Sequence, residues 1–330
     1  MTQLRKNKWK DQRQGFTEAL AYMKGRMLGE ITSFKTPWPK FNDAATDGLE
    51  WNTTTIIAGR PGAGKTLIKD QIIRESFKLN PGLDFRVLEF SLEMSSKSTA
   101  LREYSSVLHK PYKKLCSADG TSLTEGEIQS CYEYAKERVK YPIDVIEESC
   151  TVIEFRDTII EYMEEYSYMN DTGVKQYKKT VVTLDHSLLL ETAAYEDRSE
   201  MLYSLGKVLT SLKRKYPIAF IILSQLNRSI DNPERNEDGK YGNYILESDI
   251  FGADALLQHA DILLGVNKPA KQKIRFYGPD RYIIEDDNVL AFHFLKCRNG
   301  EPRLSFFRSQ FHIMEIIEMD TPPTQGRLRT

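Results

Sequence analysis

The run Gly59-Arg60-Pro61-Gly62-Ala63-Gly64-Lys65-Thr66 constrains this chain more than any other stretch, because it fits the phosphate-cradling pattern G-x-x-x-x-G-K-[ST] at every specified position. That pattern works only between a strand and a helix. Residues Thr53 to Ala58 read as a short buried strand, and Leu67 to Leu79 as the helix that follows. Glycines let the backbone wrap a phosphate closely, and the amide N–H groups at the helix N-terminus supply partial positive charge. Lys65 adds a full charge toward the outer phosphates, and the Thr66 hydroxyl suits Mg2+. ATP with Mg2+ is the ligand pair this loop points to, and a glycine-rich turn that fits by accident is the alternative.

The rest of the chain supplies the fold around that loop. Phe85 to Phe90 (FRVLEF), Ile143 to Ile146, Thr180 to Leu184 (TVVTL) and Ile218 to Leu223 (IAFIIL) read as strands. Helical patterns cover Ser95 to Val107, Leu123 to Val139, Val152 to Tyr166 and Met201 to Tyr216. Strands nearly continuous in Val, Ile and Leu that alternate with helices predict an α/β fold, a mostly parallel central sheet covered on both faces. Toward the C-terminus, Asp261 to Val266, Val289 to Lys296, Leu304 to Phe307 and His312 to Ile317 read as later strands, partly antiparallel. Residues Lys268 to Asp287 read as an inserted loop or hairpin without an assignable role, and Asn227 to Tyr244 as a long polar loop.

Ahead of the first strand, Phe16, Leu20, Met23 and Met27 recur on one helical face. This short amphipathic helix packs either on its own chain or on a neighbouring subunit. Lys plus Arg (46) nearly balances Asp plus Glu (47), so nucleic acid would have to be met by local patches. The four cysteines show no C-x-x-C pairing, which argues against a zinc site or disulfide framework and for a cytoplasmic protein. No apolar run approaches the length of a membrane span, and no membrane partner is expected.

Hydrolysis needs more than a cradle: a carboxylate for the metal and a group that positions water. Asp185, directly after the TVVTL strand, can reach Mg2+ or its water shell, or else cap a turn. Glu93, three residues beyond FRVLEF, stands where a general base would, with Glu89 inside the strand a weaker candidate. Gln225, just after the IAFIIL strand, could sense a γ-phosphate through its amide.

Taken together, Glu89-Phe90-Ser91-Leu92-Glu93-Met94, Leu184-Asp185-His186-Ser187-Leu188-Leu189, Leu223-Ser224-Gln225-Leu226-Asn227-Arg228-Ser229 and Lys296-Cys297-Arg298-Asn299-Gly300 follow the phosphate loop in a characteristic order. The chain resembles the RecA-like ATPase domain of DnaB-type replicative helicases over roughly residues 31–318. The resemblance implies a RecA-like P-loop NTPase core with a short N-terminal helical arm (1–30) and a C-terminal tail (319–330). It implies that Gly59, Arg60, Pro61, Gly62, Ala63 and Gly64 cradle the phosphates, and that Lys65 and Thr66 hold the β- and γ-phosphates and Mg2+. By the same resemblance Glu93 activates water, Asp185 completes the metal site, and Gln225 couples the γ-phosphate to the DNA-binding loop. Lys296 and Arg298 would act in trans on the adjacent subunit's nucleotide, Arg298 as an arginine finger, and the helix before the core would dock on a neighbour.

Two departures matter. The residues ahead of the core are too few for the family's N-terminal domain, so primase binding through it is not expected, and a reduced, phage-type version is suggested. In the central-channel loop, Phe251 stands where the family places an arginine, beside Gly252. DNA contacts are therefore sought among Arg228, Arg235, Lys240, Phe251 and the Gly252 backbone. The implied function is an ATP-dependent DNA helicase, a homo-oligomer and most simply a hexamer, acting on single-stranded DNA with a primase or loader as replication partner. The alternatives are a RecA-class recombinase or non-unwinding translocase, and a nucleotide-dependent assembly or loader protein.

Overall fold

The computed structural model describes residues 11–187, 190–192, 197–235, 244–251 and 257–326. Its helices are α1 (Gln12–Met27), α2 (Pro39–Ala44), α3 (Lys65–Leu79), α4 (Ser96–Val107), α5 (Tyr112–Leu115), α6 (Glu125–Arg138), α7 (Val152–Glu165) and α8 (Arg198–Lys215). The strands are β1 (Thr53–Gly59), β2 (Phe85–Phe90), β3 (Ile143–Ile146), β4 (Ser167–Met169), β5 (Lys175–Tyr177), β6 (Lys179–Leu184), β7 (Ile218–Gln225), β8 (Ile262–Asn267), β9 (Phe276–Tyr277), β10 (Tyr282–Ile283), β11 (Val289–Cys297), β12 (Arg303–Gln310) and β13 (Glu315–Glu318).

Nine strands form one sheet in the order β13-β12-β11-β8-β1-β7-β6-β2-β3. From β8 to β3 the neighbours are parallel, and β11, β12 and β13 extend the sheet antiparallel. Alternation along β1 divides the core: Ile56 and Ala58 pack with α7 and α8 residues such as Phe155 and Leu205, while Ile57 packs with Leu67, Ile68 and Ile72 of α3 and with Phe34 and Trp38. Both faces are covered, as the unbroken apolar strands require.

Local chemistry sets several boundaries. Ser95, Thr124, Thr151 and Asp197 each cap the helix that follows with a side-chain oxygen, and the last three form capping boxes with Glu127, Glu154 and Glu200. Asp197 starts α8 at Arg198, earlier than apolar spacing suggests. His312 lies in a 3-10 turn, so β13 begins only at Glu315. The 268–287 insertion holds a 3-10 turn (Pro269–Gln272) and the β9–β10 hairpin, against which the C-terminal residues pair through Tyr282 and Gln325.

Helix α1 leaves its apolar side in solvent: Phe16, Leu20, Met23 and Met27 are 66%, 67%, 65% and 77% exposed. It is held near its C-terminal end, where Arg26 Nη1 donates to Ser33 Oγ at 2.8 Å and Ile31 leaves no room for a side chain at Gly25. No helix among the described residues is long and apolar enough to cross a membrane.

Candidate nucleotide site

Parallel pairing brings the loop and its partners to one end of the sheet. Gly59 pairs with Gln225, Asp185 follows β6, and Glu93 follows β2, so all four stand at carboxyl ends of adjacent strands, where open α/β sheets bind ligands. Gln225 is the last residue of β7 rather than the first of the loop. A cavity of about 340 Å³ is lined by Gly62, Gly64, Lys65, Thr66, Glu93 and Gln225.

The loop's shape depends on its glycines. Gly64 caps α3 at φ +96°, and a Cβ there would stand 2.9 Å from Phe311 Cζ. Gly62 has φ +73°, and a Cβ at Gly59 would meet the Val266 carbonyl at 2.9 Å. At these glycines only backbone fits, and the loop closes on itself through the Ala63 N–H, which donates to the Arg60 carbonyl at 3.1 Å. Lys65 Nζ donates to the Gly59 carbonyl at 2.9 Å and sits 3.4 Å from that of Arg60. Burial pulls its pKa down to about 8, against the opposing pull of Asp185 and Glu93. A phosphate offers this half-desolvated ammonium a stronger acceptor than two carbonyls.

Asp185 is 1% exposed, its Oδ1 lies 3.4 Å from Thr66 Oγ1, and its Oδ2 is buried without a hydrogen-bond partner. Burial raises its pKa to about 6, while Lys69 pulls the other way. A carboxylate short of a partner beside a hydroxyl fits a Mg2+ ion that takes the remaining ligands from phosphates and water. No group of three or more His, Cys, Asp or Glu able to hold a metal occurs among the described residues. Glu93 is exposed and reaches the cavity freely, as a base toward water must. Glu89 does not: buried Lys69 binds it at 3.0 Å and Asp70 at 2.9 Å, which ties it into the support beneath the loop.

Arg102, His186, Phe311 and Met314 also line the cavity. His186 belongs to the segment that begins Leu184-Asp185, whereas Arg102, Phe311 and Met314 do not stand out in sequence, because α4 and the segment before β13 converge on the loop only in the fold. His186 adopts φ +79°, and burial lowers the pKa of its imidazole.

Lys296 and Arg298 are elsewhere. β11 runs antiparallel to β8, with Cys297 opposite Ile262 and Ala291 opposite Asn267. Ile262 is opposite Thr55 and Val266 opposite Gly59, so Arg298 lies at the amino end of the parallel strands, roughly 15 Å from the loop along the strand direction. Arg298 Nη1 pairs with Asp261 at 3.0 Å with 56% of its side chain exposed, and Lys296 Nζ donates to the Leu257 carbonyl at 2.6 Å. Neither reaches the cavity of its own chain.

Two loops past Gln225 are clasped together. The Phe251 N–H donates to the Gln225 carbonyl at 3.0 Å, Leu226 bridges Ile250, and the Asn227 N–H donates to the Asp249 carbonyl at 2.6 Å. Arg235 holds Asp249 through both nitrogens at 2.5 and 2.9 Å, which occupies the guanidinium that sequence offered for DNA. Phe251 is half-buried and packs against the core cluster that includes Leu205 and Leu209 of α8. Arg228 is exposed, while Lys240 and Gly252 lie outside the described residues.

The chain is 24% identical over 237 residues to the replicative DNA helicase DnaB of Helicobacter pylori, an alignment that covers 71% of this chain and 43% of that protein. It therefore spans less than half the length of that relative. One solved structure of an ATPase domain superposes with a TM-score of 0.74 at 18% identity, covering 92% of this chain and 98% of that one. A DnaB-like replicative helicase solved for its interactions with primase gives 0.73 at 19%, covering 92% of this chain and 68% of that one. These likenesses establish a RecA-like ATPase-domain fold. The DnaB-like helicase C terminal domain family matches residues 35–306, and the chain belongs to that family.

Proposed function

We propose that this chain is the motor of an ATP-dependent replicative DNA helicase, a homo-oligomeric ring, most simply a hexamer, that hydrolyses ATP between subunits and moves along single-stranded DNA. The observation that carries this reading is the separation of the site: one end of the sheet holds Lys65, Thr66, Glu93, Asp185 and Gln225, and the other holds Lys296 and Arg298. Subunits packed end to end around a ring join one chain's cradle to its neighbour's cations.

In that joint site Lys65 and the loop amides hold the phosphates. Glu93 takes a proton from the attacking water as the bond between the γ-phosphorus and the bridging oxygen breaks, and the neighbour's Arg298 offsets the charge that spreads onto the phosphoryl oxygens. Mg2+, held by Thr66 and Asp185, would neutralise charge on the β- and γ-oxygens. Gln225 links this event to movement, since its carbonyl carries Phe251 and its strand continues into the clasped loops. Arg228, exposed beyond the end of β7, would meet a DNA phosphate, with Arg235 shaping the loop beside it. The exposed apolar side of α1 suits docking on the next subunit. A primase or a loader would be met by other surfaces.

The test is duplex separation on a forked DNA substrate, with ATP turnover measured with and without single-stranded DNA. DNA-stimulated turnover with strand displacement, both lost in Glu93→Gln while nucleotide binding persists, is the expected result. Stimulated turnover without displacement would select a non-unwinding translocase, and no turnover at all would select an assembly protein.

A further inference from the structure

The 268–287 insertion reaches the phosphate loop. Its 3-10 turn is pinned from several sides: Asn267 Nδ2 donates to Gln272 Oε1 at 2.9 Å, Gln272 Nε2 donates to Asp231 Oδ1 at 3.0 Å, and the Ile274 N–H closes on the Pro269 carbonyl at 3.1 Å. The pinned turn projects two lysines at the loop. Lys268 Nζ lies 4.8 Å over the ring of Phe311, the ring that covers Gly64. Lys271 Nζ donates to the Pro61 carbonyl at 2.7 Å and sits 2.6 Å from where a Cβ of Gly62 would be. A second cavity of about 280 Å³ opens between Arg60, Asp231, Lys268 and Lys271.

Charge on this side of the loop is out of balance. Arg60 is matched by Asp231 at 2.5 Å. Lys271 has no carboxylate partner among the described residues and lies near enough to repel the Lys65 ammonium. Cations gathered on one loop in mutual repulsion are stabilised by an anion that carries more charge than Lys65 alone can match. The carbonyl that holds Lys271 is a neutral acceptor, and an exposed lysine exchanges it for a phosphate oxygen at little cost.

We propose that Lys271 is a second cis cation of the nucleotide site, leaving the Pro61 carbonyl to bind the terminal phosphate of a nucleoside triphosphate, so that the insertion favours triphosphate over diphosphate. This rests on the reading that Gly59 to Thr66 holds such a nucleotide. The test is equilibrium binding of a slowly hydrolysed ATP analogue and of ADP, each with Mg2+, to the full chain and to Lys271→Ala and Lys271→Arg. The alanine variant is expected to weaken the triphosphate roughly tenfold and ADP less than about twofold, with arginine restoring most of the loss. Equal weakening of both nucleotides would reduce Lys271 to a clasp on the loop backbone and overturn the proposal, as would no change in either. Unmodified protein that binds neither nucleotide would remove the nucleotide reading itself, an outcome distinct from both.

Discussion

Gly64→Ala tests whether the loop and Phe311 depend on each other as the geometry requires. Alanine at φ +96° costs about 1–2 kcal/mol in backbone strain. Its Cβ also meets Phe311 Cζ at 2.9 Å and Cε1 at 3.0 Å, inside ordinary contact, and forcing a ring aside in a packed site costs about 1–3 kcal/mol more. If the whole cost falls on the nucleotide-competent loop, ATP-analogue affinity drops by roughly 30-fold or more. The second substitution separates the two terms. Phe311→Ala removes the clash but not the strain, so Gly64→Ala/Phe311→Ala should bind the analogue about 5-fold or more tighter than Gly64→Ala alone. Phe311→Ala in the unaltered loop should instead weaken binding, because it opens the cavity wall. Urea unfolding of all four proteins shows whether each is folded where binding is measured. Additive losses across the cycle would refute the contact, and with it the claim that Gly64 is held to glycine by the ring.

Two further outcomes follow from the same structure. His293 is buried with Nε2 unpartnered against Tyr277 and Tyr244, and burial lowers its pKa from 6.5 to about 3. Between those values the unfolded chain takes up a proton that the folded chain refuses, so stability falls as pH drops below 6.5; by pH 5 the loss is about 2 kcal/mol. His293→Phe should remove that component from the pH dependence of the urea midpoint, and an unchanged acid slope would count against it. Phe16→Asp with Met23→Asp should leave the unfolding transition of the single chain in place, since both residues are exposed, yet block oligomer formation in native mass measurement; intact rings would show that α1 docks nowhere.

Much of this was legible in the residues because the signals are local. Phe85 to Phe90 and Ile143 to Ile146 coincide with β2 and β3, and the run Ile218 to Leu223 falls within β7, which is buried along nearly its whole length, as an unbroken apolar run implies. Ser95 announces its helix through cap chemistry that needs no tertiary partner, whereas the helical pattern read from Leu123 begins only at Glu125, after the Thr124 cap. The β4–β5 hairpin was not legible, because Ser167 to Met169 and Lys175 to Tyr177 are short, largely polar and partly exposed. The same division holds in the site. Lys65, Thr66, Glu93 and Gln225 belong to motifs and meet in one cavity, whereas Arg102 and Phe311 enter it from distant segments without a pattern of their own. Arg235 read as a free cation for DNA, since no local spacing foretells its pairing with Asp249. Lys271 was equally silent: its contact with Pro61 spans 210 positions.

The central claim is that each ATP is enclosed by two chains, and mixed rings of Lys65→Ala and Arg298→Ala subunits test it most directly. Either variant alone lacks one half of every site and should show almost no turnover. In rings assembled at random from equal amounts, roughly a quarter of the interfaces join an intact Lys65 cradle to an intact Arg298, and turnover should return in about that proportion. Turnover that stays at the level of the parent variants, in mixtures shown by native mass to contain hybrid rings, would contradict the shared site.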